Sequence, residues 1–275
     1  MNKWRKLGKN RIYEFRLGDS PRAPIIESTC IFDGLYFIGD EFVGSYVLDT
    51  TEGLIMVDCG YDDDYFFEQI DNAFKKFELS YKDLKYILIS HGHFDHFGCA
   101  QRLKKLSGAF VCMAKKEYEL ACNNSFQLYG PMKVRPDIFI KDNDVIELGN
   151  QQIHCIFTKG HTEENTSFIF KVFDEDETYM AELFSGCGIT RFMDEEKIRT
   201  YIEFVKKWSM MTERYNTQVV LSMHPMQVNT KERIELIENI NNRGVMNPFI
   251  VGRKGCVMFE QLLLHRGEKA LKQYQ

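Results

Sequence analysis

The chain has 275 residues, 44% of them hydrophobic and 13% aromatic, and a net charge of −5. That is enough apolar matter for a sizeable core, expected as a single domain over 1–275 with an N-terminal arm over 1–30. The acidic balance disfavours a nucleic-acid partner. No stretch reaches the ~20 apolar residues of a membrane helix, so no membrane partner is expected.

The basic start is followed by no apolar run of about seven residues or more, so no secretory signal is expected. Eight cysteines, at 30, 59, 99, 112, 122, 155, 187 and 256, lack the close pairs of a disulfide framework or zinc knuckle. Reduced thiols in the cytoplasm are the simplest reading. Residues 1–30 are polar, with Pro21 and Pro24, and read as an extended arm. Residues 34–39 read as a strand. Residues 45–49 and 54–58 form a hairpin around Gly53, whose backbone tolerates positive φ. Asp58 ends the second of these strands, where it can cap a loop or orient a ligand histidine from behind. Residues 62–78 predict an amphipathic helix with Tyr65, Phe66, Ile70, Phe74 and Phe77 on one face, a core-packing pattern.

The next apolar strand, from Tyr86 to Ser90, stops and turns into His91, His93, Asp95 and His96. Residues two apart in an extended chain point the same way, so His91 and His93 can offer two imidazoles to one metal. Asp95 and His96 follow the turn, and Asp95 is also placed to open the next helix as its cap. Two ligands approach from each side, which suits two metals a few ångströms apart. Four such residues packed this closely are poorly explained as core packing.

Residues 109–113 read as a strand and the chain then as a helix to about residue 122. Residues 123–140 are irregular, with Pro131 and Pro136, and are expected as a surface loop near the site. Strands over 144–148 and 151–157 meet at Gly149 and Asn150. His154 lies in an alternating strand and reads as partly packed structure. His161 ends that strand's run. Strands follow over 167–173 and 178–184, with Cys187 just beyond. A helix is expected from Asp194 to about Met211, a strand over 219–222 ending in His224, and a helix over 231–241. A last helix is expected from Pro248, carrying His265 as a surface or packing residue. Strands and helices alternate in both halves, which argues for α/β layers. His91, His161, Cys187 and His224 each follow an apolar run, and strand ends gathered on one edge are a natural place for a site.

From about residue 34 onward the chain resembles the metallo-β-lactamase superfamily. The resemblance rests on Val57-Asp58-Cys59-Gly60, on the signature His91-x-His93-x-Asp95-His96, on Gly160-His161-Thr162 and on His224-Pro225. It implies an αββα sandwich of two mixed sheets with helices on the outer faces. Residues 45–53 and 223–225 and the terminal helix are most similar to the His-rich, di-zinc subclass of metallo-β-lactamases. That resemblance implies two zinc ions, one on His91, His93 and His161, the other on Asp95, His96 and His224. It also implies that Asp95 orients a metal-activated hydroxide for attack on a carbonyl.

Three features depart from the family pattern. No aspartate follows the strand at 183–187, where many relatives place a metal-bridging one. Ser185-Gly186-Cys187 resembles instead the Gly-Gly-Cys of the cysteine-containing subclass, so Cys187 stands as a ligand, an alternative to His96, or a bystander. Glu163 and Glu164 replace the usual Pro-Gly after Thr162. Thr190 or Arg191 is placed to meet a substrate carboxylate, and Arg191 reads equally as a surface charge. The implied activity is hydrolysis of a small-molecule substrate, a β-lactam or related cyclic amide or ester. An endogenous ester, lactone or thioester substrate and a non-catalytic metal-binding role are the alternatives. His93 argues against a flavodiiron-type oxidoreductase, and the acidic balance against a nuclease.

Overall fold

The structure, a computed structural model, describes residues 23–123, 129–190, 192–239 and 246–274. Seven strands form one sheet in sequence order. They are β1 (Ile25–Phe32), β2 (Leu35–Asp40), β3 (Gly44–Thr50), β4 (Gly53–Val57), β5 (Leu84–Ile89), β6 (Phe110–Ala114) and β7 (Ile138–Ile140). Pairing is antiparallel from β1 to β4 and parallel from β4 to β7. A second sheet holds β8 (Val145–Leu148), β9 (Gln151–Phe157), β10 (Thr166–Asp174), β11 (Glu177–Leu183) and β12 (Val219–Leu221). Its order is β12-β11-β10-β9-β8, with the β11–β12 pair parallel. The helices are α1 (Asp64–Lys76), α2 (Phe94–Phe97), α3 (Ala100–Ser107), α4 (Lys115–Ala121), α5 (Glu195–Tyr215), α6 (Thr230–Asn239) and α7 (Gly252–Leu271).

The two-residue period of the strands explains the layers. On β4 and β5, Ile55, Val57 and Leu88 enter the core between the sheets, where they meet Phe168, Phe170 and Leu183 of the second sheet. Their neighbours Leu54, Met56, Ile87 and Ile89 face outward onto Phe66, Ile70 and Phe74 of α1 and Leu103 of α3. On the far face, Ile169 and Val220 pack against Val205 and Trp208 of α5 and Leu263 of α7. Helices thus cover both outer faces, and the expected αββα sandwich of two mixed sheets is what the chain builds. Strands buried on both faces read as near-continuous apolar runs, which is why 84–89 looks uniformly hydrophobic.

Several boundaries differ from the sequence expectation. The arm over 1–30 is in part a strand, since β1 begins at Ile25 and pairs antiparallel with β2; residues 1–22 lie outside the described residues. The irregular stretch over 123–140 includes β7, which pairs with β6, and 124–128 lie outside the described residues. Asp95 caps no helix. His93 holds the N-cap position of α2, and the Asp95 carboxylate sits in the first turn among histidines. The last helix starts at Gly252 and Pro248 precedes it, because Ile250 bridges Val219 of β12 and the Val251 and Gly252 amides donate to the Gln218 carbonyl.

Candidate metal centre

β5 ends at Ile89, the β9–β10 connection carries His161, and β12 ends just before His224. The histidines gathered there form two trios. In the first, His93 Nδ1 lies 3.1 Å from His91 Nε2 and 3.1 Å from His161 Nε2. In the second, Asp95 Oδ2 lies 3.5 Å from His96 Nε2 and 3.9 Å from His224 Nε2. Within each trio the potential donor atoms all fall within 4.8 Å of one another. A tetrahedral ion with nitrogens at about 2.0–2.1 Å sets its ligand nitrogens roughly 3.3 Å apart, so the first trio has the right scale. The two trios adjoin, with the His91 and His96 ring centroids 3.9 Å apart.

The outer ring nitrogens of His91, His96, His161 and His224 each have a partner. His161 Nδ1 is 2.8 Å from the Gly188 carbonyl, and His224 Nδ1 is 2.7 Å from the Phe42 carbonyl. Each must donate there, which leaves its Nε2 as a bare lone pair facing its trio. His96 Nδ1 meets Asp58 Oδ2 at 2.6 Å. His91 Nδ1 is 3.0 Å from Ser90 Oγ and 3.3 Å from Ser185 Oγ. The inward His96 Nε2 is buried and has no hydrogen-bond partner among the described residues. A buried nitrogen without a hydrogen-bond partner, aimed at a carboxylate and a second imidazole, fits a metal-ligand position.

Electrostatics suit a cation as well. Burial, aided by neighbouring imidazoles, holds His91 well below the usual histidine range and His161 down at about 3. Burial likewise brings His93 down to about 4 against the pull of Asp95, and it lowers His224. These rings are therefore neutral near pH 7, the form that ligates metal. Burial also presses His96 downward, but the Asp95 and Asp58 carboxylates outweigh it and its pKa rises. For Asp95 burial pushes up, and His96, His224 and His93 overcome that, so the carboxyl is held below its ordinary value and stays anionic.

Of the remaining sequence candidates, Asp58 is fully buried at the end of β4 and bonds both His96 and Ser90, the role of orienting a histidine. Cys187 joins neither trio. Its thiol donates to the Phe184 carbonyl at 3.1 Å, packs with Ile198, Tyr201 and Val205, and burial pushes it up to about 12. Thr190 lines the adjacent cavity, and Arg191 lies outside the described residues. His154 meets Tyr215 Oη at 3.2 Å away from the trios, and His265 is exposed on α7. The cavity, about 670 Å³, opens onto His93 and His161 and is walled by Glu117, Lys159, Thr190 and Phe192 among others. Sequence reasoning missed Glu117, whose Lys-Lys-Glu-Tyr-Glu setting reads as an ordinary helix surface.

Residues 38–172 match the family model described as the metallo-beta-lactamase superfamily. Over that stretch, just under half of its length, the chain is similar to this superfamily. It is 30% identical over 112 residues to the probable polyketide biosynthesis zinc-dependent hydrolase PksB of Bacillus subtilis (strain 168), covering 39% of this chain and 43% of that protein. It is 30% identical over 132 residues to metallo-beta-lactamase type 2 of Bacillus cereus, 47% of each chain. The matched stretch thus spans less than half the length of these two relatives. A hydroxyacylglutathione hydrolase of Prochlorococcus marinus (strain NATL1A) is 26% identical over 175 residues, 59% of this chain and 65% of that one. Among solved structures, the native FEZ-1 metallo-beta-lactamase from Legionella gormanii superposes with a TM-score of 0.81 at 21% identity, over 92% of this chain and 98% of that one. The class B3 di-zinc metallo-beta-lactamase LRA-12 from an Alaskan soil metagenome gives 0.74 at 21% identity, over 94% and 100%. The likeness of fold to these two structures thus extends over nearly the whole chain.

Proposed function

We propose that the protein is a metal-dependent hydrolase of a small carbonyl substrate, a β-lactam amide or a related cyclic amide or ester. In this reading one zinc ion is held by His91, His93 and His161 and a second by Asp95, His96 and His224. The observation that carries it is the pair of adjoining trios, neutral histidines in one and an anionic Asp95 in the other, beside a cavity of about 670 Å³. That volume suits a drug-sized molecule. The nitrogen-rich donor set favours zinc over magnesium or calcium. Three protein ligands per ion leave an open position, as catalytic sites do.

When bound, the zinc ions supply a nucleophilic water at neutral pH, its pKa lowered from 15.7 to about 7, and a Lewis acid for the carbonyl oxygen. The chain's own residues do the rest. His93 and His161 stand on the cavity wall, so substrate approaches along the first trio. Asp95, buried and anionic, would hold the second ion and orient the attacking oxygen. Asp58 fixes the His96 ring, the Phe42 carbonyl fixes His224, and the Gly188 carbonyl fixes His161. Thr190 lines the cavity, which supports a contact with the substrate. Among the described residues no helix is long and apolar enough to cross a membrane.

The likeness to hydroxyacylglutathione hydrolases favours a second reading, ester or thioester hydrolysis. Against it, the turn after β11 carries Ser185, whose hydroxyl supports His91, and no carboxylate to bridge two ions. The test is turnover of a chromogenic cephalosporin by zinc-loaded protein, with a chelated sample and Asp95→Ala alongside. Chelator-sensitive turnover is expected, falling in the variant by more than the about 100-fold typical of losing a supporting residue. Two bound zinc ions without turnover would sink the β-lactamase reading and move the assay to esters and thioesters.

A further inference from the structure

We infer that Glu117 is a positioning residue of the first trio: its buried carboxylate clamps the turn between His91 and His93 to the loop that carries His161. The Gly92 amide, lying between the two motif histidines, donates to Glu117 Oε2 at 2.9 Å. The Glu164 amide, three residues beyond His161, donates to Glu117 Oε1 at 2.7 Å. One carboxylate thus spends both oxygens on two segments more than 60 residues apart in sequence, each carrying ligands of the same ion. The Lys116 amide returns a bond to Glu164 Oε2 at 3.0 Å, so α4 and the His161 loop are stitched in both directions.

Two further observations separate this from ordinary packing. Glu117 is fully buried, and among the described residues no cation forms a salt bridge with it. A carboxylate hidden in this way is costly, and backbone amides are its compensation. Gly92 is also required sterically, because a Cβ there would run into the Glu117 carbonyl and crowd Leu120. The middle residue of His91-Gly92-His93 is therefore glycine so that α4 can approach closely enough for the clamp. Asp58 and the Phe42 carbonyl bond histidines of the second trio directly, while Glu117 bonds only amides beside first-trio ligands, so Glu117 serves the first trio selectively.

The inference rests on the metal-centre reading above, and the test keeps the two apart. Metal-free full-length protein is titrated with zinc against a chromophoric chelator, with His224→Ala isolating the first-trio step and His161→Ala the second. Glutamine has one acceptor oxygen, so Glu117→Gln turns an N–H toward one of the two donating amides. The expected result is a first-trio zinc affinity weakened by about 10–100-fold with the second-trio step unchanged. A residue that only stabilised the fold would move both steps together. Residue-resolved amide exchange on the unmutated metal-free protein is the second arm, and it does not depend on the variant folding. Slow exchange at both Gly92 and Glu164 is expected. An unchanged first step in Glu117→Gln, or both steps shifting equally, or fast exchange at both amides, would overturn the clamp. Failure of the unmutated protein to bind zinc would instead remove the metal reading, with the exchange arm still deciding the clamp.

Discussion

At Asp58 the backbone turns left-handed, with φ at 54°, a conformation that aspartate tolerates better than most side chains. The turn aims the carboxylate back along β5, where Oδ1 takes the Ser90 amide at 2.7 Å and Oδ2 takes the Ser90 hydroxyl at 2.7 Å. The same Oδ2 takes His96 Nδ1, and Ser90 passes the contact on to His91. Two histidines in different trios are thus oriented from one buried side chain. Asp58→Asn preserves shape and backbone but removes the charge that raises the basicity of His96. Zinc affinity at the second trio is expected to fall by about 10–100-fold, read by chelator competition, with little change in far-ultraviolet circular dichroism. Sequence spacing brought His91, His93, Asp95 and His96 into view because four potential ligands within six residues are a local pattern. Cys187 shows the limit of spacing. Its position after a strand leaves its direction open, and packing turns the thiol onto the Phe184 carbonyl and the face of α5.

At the scale of elements, α5 and α7 are pinned to the second sheet by a buried polar cluster. Thr217 donates to Glu182 Oε2 at 2.8 Å, Arg253 donates to Glu260 Oε1 at 2.7 Å, and Thr212 donates to the same Glu260 oxygen at 2.6 Å. Glu182, on β11, has no partner for its other oxygen among the described residues, and burial with the nearby Glu260 lifts its pKa to about 8 against the pull of Thr217 and Arg253. The folded state therefore holds this carboxyl protonated. Its folded pKa lies above the ordinary value, so the stability it contributes is complete below about pH 4.5 and is lost as pH rises through about 8. The thermal midpoint is expected to fall between pH 6 and pH 9. Glu182→Gln, which mimics the protonated acid, should reduce that fall by an amount on the order of 1–3 kcal/mol. An identical pH profile for the two proteins would refute this account of α7 docking. None of this was visible in the chain, where Glu182 reads as one polar residue in an alternating strand.

Across the whole molecule, the two sheets meet over aromatic and aliphatic side chains such as Phe37, Tyr46, Phe168 and Phe170, and the site lies at one edge of that contact. His91 and His93 leave the first sheet after β5, while His161 and His224 leave the second. Metal in either trio would therefore tie one sheet to the other. A ligand that binds only the folded state stabilises it by about 4 kcal/mol at a thousandfold excess over its dissociation constant. Zinc should raise the thermal midpoint markedly, chelator should reverse the gain, and His161→Ala with His224→Ala should abolish most of it. A midpoint indifferent to zinc would count against both trios as metal sites.

Apart from β1 and β7, the order of strands and helices was determined by the sequence itself, because two-residue and helical periodicities are local and each buried face leaves its own apolar record. The His91-to-His96 cluster was legible for the same reason, and its likeness to a known family pointed to His161 and His224. Helix starts were less legible. Asp95 and Pro248 both carry local cap signals, and both lost to longer-range partners, the histidines for one and the bridge from Ile250 to Val219 for the other. Only the tertiary structure decided which side chains support the trios. Glu117 and the carbonyls of Phe42 and Gly188 are ordinary residues in sequence, made specific by segments tens of residues away. Hydrogen-bond direction at a strand end depends on what packs opposite it, and no local pattern carries that information.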